Sequence, residues 1–151
     1  MSTIGNIVWF LFGGFVAGLA WWLTGLVALL TIVGIPWARS CFVLGKMSFL
    51  PFGKEVIARD ELTHREDIGT GIFGSIGNIL WFIFAGWWLA LTHFLIAIAQ
   101  AVTIILIPFA LQHLKLAGAS LVPVGKTVVD KHLAHAAKAS NAEQKLKEMR
   151  S

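Results

Sequence analysis

Two long stretches of this chain carry no charge. Between Ser2 and Ala38 there is no Asp, Glu, Lys or Arg, and between Ile68 and Leu114 there is none again. The hydrocarbon core of a bilayer takes about 20 apolar residues to span, whereas helices of soluble domains average roughly 10–14. Each stretch is too long for a buried element of a soluble domain. The remaining composition agrees. The chain is 57% hydrophobic and 13% charged, where a soluble domain carries about a quarter charged residues. The class is an integral membrane protein. The first stretch is not read as a secretory signal, because no basic segment precedes it and it outruns a signal's apolar core. Cys41 is the single cysteine, so no internal disulfide forms. Among the seven Trp, Trp21-Trp22 and Trp87-Trp88 are expected either to anchor at a bilayer boundary or to fill helix contacts.

The second constraint is a repeat. Ile4–Ile57 aligns on Ile76–Val129 without a gap, at a constant offset of 72, with 21 of 54 positions identical. The identities gather in three motifs. The first is Ile-Gly-Asn-Ile-x-Trp-Phe-x-Phe-x-Gly at 4–14 and 76–86. The second is Thr-Ile-x-x-Ile-Pro-x-Ala at 31–38 and 103–110, and the third is Pro-x-Gly-Lys-x-Val at 51–56 and 123–128. Each unit is a hydrophobic block followed by a short amphipathic tail. These motifs, twice in order, resemble the bacterial inner membrane component domain family called YccF. The likeness covers about Ile4 to Val129. It implies a small multi-pass protein of the bacterial inner membrane, and brings no catalytic residue and no cofactor.

Each apolar block runs about 40 residues, which as one helix is about 60 Å, twice the hydrocarbon thickness. A helical hairpin fits better. The corners are expected at Thr24-Gly25 and near Thr92-His93, with helices at about 4–22, 26–45, 76–91 and 95–116. Lys46, Lys54, Arg59 and Arg65 follow the first block, and Lys115, Lys126, Lys131, Lys138, Lys145, Lys147 and Arg150 follow the second. Lys and Arg concentrate on the cytoplasmic side, so both basic segments and both termini are expected there. The fold class is an all-α membrane protein of two tandem, parallel-orientation hairpin repeats about an axis along the membrane normal, with four membrane helices and a C-terminal basic, amphipathic helix. Hairpins that dip in without crossing satisfy the same charges. The organisation is repeat 1 at 1–57, a cytoplasmic linker at 58–75, repeat 2 at 76–129 and a basic tail at 130–151.

Several residues are candidate functional positions. Gly14 and Gly18, matched by Gly86 and Ala90, put small residues on one helical face for close packing. Asn6 and Asn78 read as caps or interhelical hydrogen-bonding groups, or as a polar ring at a pore mouth. Pro36 and Pro108 are expected late in the second helix of each hairpin, where they free the carbonyls of Ile32 and Ile104. Thr31 and Thr103 lie beside those kinks. Gln100 is the amide deep in the second block and a candidate intramembrane site. Lys54 and Lys126, in Pro-x-Gly-Lys turns, are candidates for lipid headgroups. His132 and His135 have a metal-compatible spacing that a solvated basic helix explains better. Asp60, Glu61, Glu66 and Asp67 read as a solvated linker.

No enzyme, metal, cofactor or nucleic-acid partner is expected. The functional expectation is a homo-oligomeric channel or transport-type pore, lined by the Asn and Thr positions and Gln100. The alternative is a structural or accessory subunit of a membrane complex. The partners expected are the bilayer, anionic headgroups, further copies of the chain, and a possible membrane-protein partner.

Overall fold

The structure, a computed structural model, describes residues 2–151. Among the described residues, two helices are long and apolar enough to cross a membrane, α1 (Ser2–Leu30) and a counterpart in the second repeat, Ile72–Ala101. At 1.5 Å per residue each is about 44 Å long. α1 turns back into α2 (Ile35–Phe49), which leads to β1 (Lys54–Ala58) and the short α3 (Arg59–Thr63). The second repeat follows as α4 (Ile72–Ala101), α5 (Ile107–Leu121), β2 (Lys126–Asp130) and α6 (Lys131–Arg150).

The corners lie later than the sequence suggests. α1 runs straight through Thr24-Gly25, because the Thr24 hydroxyl donates to the Ala20 carbonyl at 2.9 Å. Thr92 does the same to Trp88 at 2.8 Å. A hydroxyl satisfied one turn back does not break a helix. Gly25 serves packing instead: a Cβ there would stand 3.2 Å from both the Ala38 carbonyl and Cys41. The chain turns at Ile32–Gly34 and at Val102–Leu106, immediately before the prolines. Pro36 and Pro108 occupy the first turn of α2 and α5, where a missing amide hydrogen costs nothing. They start helices rather than kink them. The Ile32 and Ile104 carbonyls accept from Ile35 and Ile107, so neither is orphaned.

Real bends occur elsewhere. α1 has a π-turn at Phe10–Gly14, where Gly13 adopts φ +140°, and α4 has one at Phe82–Gly86. Gly13 is matched by Ala85, which is not among the residues of positive φ. The backbone therefore leaves helical geometry in the first π-turn alone, because only glycine enters that conformation cheaply.

The strands were not foreseen. β1 and β2 pair antiparallel, with Lys54 opposite Asp130, Val56 opposite Val128 and Ala58 opposite Lys126. Val56 and Val128 are equivalent in the two repeats, so a local two-fold axis passes between them. Flanking bonds obey it: Arg59 N–H donates to the Gly125 carbonyl at 2.8 Å, and Lys131 N–H to that of Gly53 at 2.9 Å. The structural repeat thus extends past the sequence repeat, since Arg59 and Lys131 each open a helix. α3 ends after five residues at His64, in left-handed backbone, whereas α6 continues for 20 residues. α6 is helical as expected but not amphipathic. It is largely Ala and charged residues, with Leu133, Leu146 and Met149 dispersed around it and all exposed.

The sheet lies along α2 and α5. Val56 packs against two small cores, one of Trp21, Cys41, Leu44, Trp81 and Ala119, the other of Trp9, Met47 and Leu116. Each core joins the two repeats. Leu44 shares one core with Ala119 and Met47 shares the other with Leu116, so α2 and α5 pass in opposite directions. Their ends confirm it. Phe52, after α2, has its ring 5.5 Å from Phe109 at the start of α5. Trp37, at the start of α2, donates to the Gly77 carbonyl at 3.0 Å, while Asn78 beside it holds Val124 after α5. The charge pattern predicts hairpins that run along the two-fold axis. The packing lays them across it.

Candidate functional site

The repeated first motif builds a pair of clasps. Asn6 donates to the Phe52 carbonyl at 3.0 Å and accepts the Phe52 amide at 2.9 Å. Asn78 makes the same pair with Val124 at the same two distances. Three residues on, Trp9 donates its indole N–H to the Ser48 carbonyl, and Trp81 to that of Ser120, each at 2.7 Å. One helical turn of sequence thus ties the start of each long helix to the Pro-x-Gly-Lys turn. Both bonding groups of each backbone unit are met by one amide side chain. Gly14 and Gly86 complete the clasp, because a Cβ at either would meet the Trp9 or the Trp81 ring. Gly18 is covered by Phe49, and Ala90 is half-buried. The small residues at 14, 18 and 86 therefore pack within a hairpin.

The other polar candidates do not gather with these. Thr31 and Thr103 sit at the hairpin tips, donating to the Ala28 and Gln100 carbonyls at 2.9 and 2.7 Å. Asn6 and Thr31 are about 37 Å apart along the helix. The Gln100 side-chain oxygen has no hydrogen-bond partner among the described residues.

One polar pair was missed. His93 on α4 and His113 on α5 face each other, Nδ1 to Nδ1 at 3.0 Å, and His93 is 8% exposed. One nitrogen donates and the other accepts, so at least one ring is in its Nδ1-protonated form. The Trp9 ring lies 4.8 Å from His113 and stacks on Phe109 at 5.9 Å. The signal was split between residues 20 positions apart, each unremarkable alone. Among the described residues, no group of three His, Cys, Asp or Glu stands ready for a metal.

The charged residues form a separate face. Lys54 pairs with Asp130 across the strands at 2.6 Å, and that contact holds the Asp130 carboxyl below its ordinary range. Lys126 is half-buried at the start of β2. Lys115 reaches the Lys54 carbonyl at 3.2 Å. Glu55 receives Lys138 at 3.3 Å and faces His135 at 3.7 Å, docking α6 on the sheet. Arg59 grips Asp67 through two nitrogens at 2.6 and 2.7 Å, and the Asp67 carboxyl falls from 3.8 to about 2 because of this guanidinium. Asp67 also feels Arg39, the fifth residue of α2. Of the tryptophans, Trp21 is buried, stacked 6.2 Å from Trp81, while Trp87 and Trp88 stack on each other at 4.0 Å and stay exposed.

The long helices complete the picture with surface that water does not tolerate. Leu11 is 74% exposed, Phe12 86% and Leu30 85%, without a charge among them. Contiguous apolar surface on this scale marks a membrane-facing region. Tandem clasped hairpins with an apolar exterior and one charged face define a membrane-embedded repeat protein. The chain belongs to the YccF family, whose model, described as inner membrane component domain, matches residues 4–54 and 76–126. It is 40% identical over 146 residues to the Inner membrane protein YccF of Escherichia coli (strain K12), covering 96% of this chain and 99% of that one. The Inner membrane protein YccF of Shigella flexneri matches to the same extent. No solved structure matches.

Proposed function

We propose that the protein is a non-enzymatic accessory subunit of the bacterial inner membrane, one that presents a charged cytoplasmic face to a partner and to anionic headgroups. One observation carries this. Most polar side chains in its apolar part are spent on internal bonds: Asn6, Asn78, Trp9 and Trp81 on the turns, and His93 on His113. Polarity left for a partner concentrates on the strands, α3 and α6. Asp60, Glu61 and His64 face Lys138, Lys145 and Glu148 there, across an open groove. Ser2 lies beside Gly53, next to the strands, so the N-terminal residues and α6 share this face. A net charge of +4 and the basic segments favour the cytoplasmic leaflet. Lys54 and Lys126 border that leaflet, with Lys54 already engaged by Asp130.

The pore expected from the sequence, lined by Asn6, Asn78, Thr31, Thr103 and Gln100, would draw new support from one feature, the His93–His113 pair inside the second hairpin. Such a pore needs several copies in a ring. The discriminating measurement is the mass of the protein extracted in native lipid. A monomer, or a complex with one second protein in fixed ratio, is expected. A closed ring of about five or more copies that conducts ions when reconstituted would overturn the accessory reading.

A further inference from the structure

We propose that neither hairpin crosses the bilayer. Both enter from the charged face, and their tips end among the acyl chains, so the protein is embedded from one side only. This rests on the membrane-embedded reading above and gives it a geometry.

Three observations lead there. The first is the return helices. Each has 15 residues, about 22 Å, against a hydrocarbon core of about 30 Å. α2 carries exposed charge toward both ends, Arg39 at its fifth residue and Lys46 on its last turn. The strands lie along it, and the Arg59–Asp67 pair borders the same hollow as Ile35, Pro36 and Arg39. An upright hairpin would carry those charges far into hydrocarbon, where each costs several kcal/mol. Laid along the interface, α2 and α5 keep every charge near water.

The second is the tips. In a crossing hairpin, residues 30–35 and 102–107 would emerge into water on the far side. They offer water almost nothing: Ile32 is 85% exposed, Val102 78% and Ile105 84%, and the tips carry no charge. Loops in water are ordinarily rich in Gly, Asn, Asp and Ser.

The third is the tip backbone. In hydrocarbon every N–H must find a partner inside the protein. Across the second tip each one does. Val102 N–H donates to Ile98, Thr103 to Gln100, Ile104 to Ala101, Ile105 to Thr103 and Ile107 to Ile104, while Leu106 N–H reaches the Thr103 hydroxyl. Pro108 has no N–H to satisfy. The closure holds Ile104 at φ +56°, a conformation a β-branched residue avoids. A loop in water has no need of that. Thr103, whose hydroxyl accepts the Leu106 N–H, thus reads as a lipid-depth turn residue.

Depth agrees. A long helix beneath a return helix adds about 10 Å, within the roughly 15 Å of one leaflet.

The test uses the full chain in a Cys41→Ala background. Single cysteines are placed by Ile32→Cys and Ile105→Cys at the tips, and by Glu61→Cys on the charged face. A membrane-impermeant maleimide is applied to spheroplasts and to inverted vesicles. Glu61→Cys should label only in inverted vesicles. Ile32→Cys and Ile105→Cys should label from neither side, then fully in detergent. Tip labelling from the spheroplast side means crossing hairpins and overturns the proposal. If Glu61→Cys labels only in spheroplasts while the tips stay silent, re-entrance stands and the cytoplasmic placement of the charged face fails. Should detergent not restore tip labelling, spin labels at the same two positions decide by depth. Collisions with oxygen over those with a nickel chelate should place both in the leaflet nearer residue 61, and a depth near the far headgroups overturns the proposal.

Discussion

At equivalent places between long helix and return helix, the first repeat holds Trp21 and Cys41, and the second holds His93 and His113. Around them the frame is the same. The Asn clasps have the same lengths in both copies, 3.0 and 2.9 Å, and so do the Trp clasps, 2.7 Å. The filling differs in kind. Trp21 stacks on Trp81 beside an apolar thiol, whereas the two imidazoles bond each other and lean on Trp9. The duplicated frame fixes backbone, and what fills the hairpin is free to diverge so long as each buried polar group keeps a partner. The outer parts diverge as well. Arg59 and Asp67 form a two-point pair in the first repeat, while their counterparts are Lys131 and Ala139, and no such pair forms.

The comparison breaks first at the clasps. Trp9→Ala and Trp81→Ala each remove a buried ring and its hydrogen bond, a loss expected at about 3–5 kcal/mol. If the frame is truly duplicated, the two should cost alike in thermal unfolding in lipid nanodiscs, and a twofold or greater difference argues otherwise. The fillings come next. His93→Leu leaves a ring nitrogen of the half-buried His113 without its partner, costing about 1 kcal/mol. Pairing His93→Trp with His113→Cys copies the first repeat and should cost less than the sum of the two single changes. Strict additivity would show that the fillings are not coupled units.

A smaller effect is expected at the bend. Gly13→Ala forces an L side chain to φ +140° or straightens α1 toward the α4 form, for about 1–2 kcal/mol. Distances between spin labels on either side of the bend separate the two outcomes, and an unchanged distance with unchanged stability would mean that residue 13 does not set the bend. The least effect belongs to the Arg59–Asp67 pair. Its folded carboxyl pKa is lowered to about 2 from 3.8, so its stabilisation is present above about pH 4 and lost as the pH falls toward 2. Because the carboxylate is exposed, Asp67→Asn should cost less than about 1 kcal/mol at neutral pH. It should also flatten the acid limb of the pH–stability curve, and a limb left unchanged would remove Asp67 from that role.

Much of this was written in local pattern. The charge-free stretches announce lipid, and a constant offset of 72 announces two copies of one unit. Asn6, Asn78, Gly14 and Gly86 stand out as positions that matter, since they recur. Their partners do not show, because each clasp closes over 39 or 46 residues onto backbone groups that carry no sequence signature. The prolines were visible but misplaced: proline signals a helix boundary without saying on which side the helix lies. His93 and His113 were invisible as a pair, having no counterpart histidines in the first repeat.

The sequence alone determined the membrane class, the duplication, the helical hairpin as its unit and the separation of charged from apolar segments. These follow from composition and period, which act over a few turns of chain. Only the tertiary structure decided where the hairpins turn, that Lys54–Ala58 and Lys126–Asp130 become one sheet, and that the hairpins lie across the two-fold axis rather than along it. Each of those depends on groups far apart in the chain. Strands of five residues have no stability until a distant partner meets their backbone. The direction in which two helices pass is set by the side chains that pack between them, here Leu44 in one core with Ala119 and Met47 in the other with Leu116.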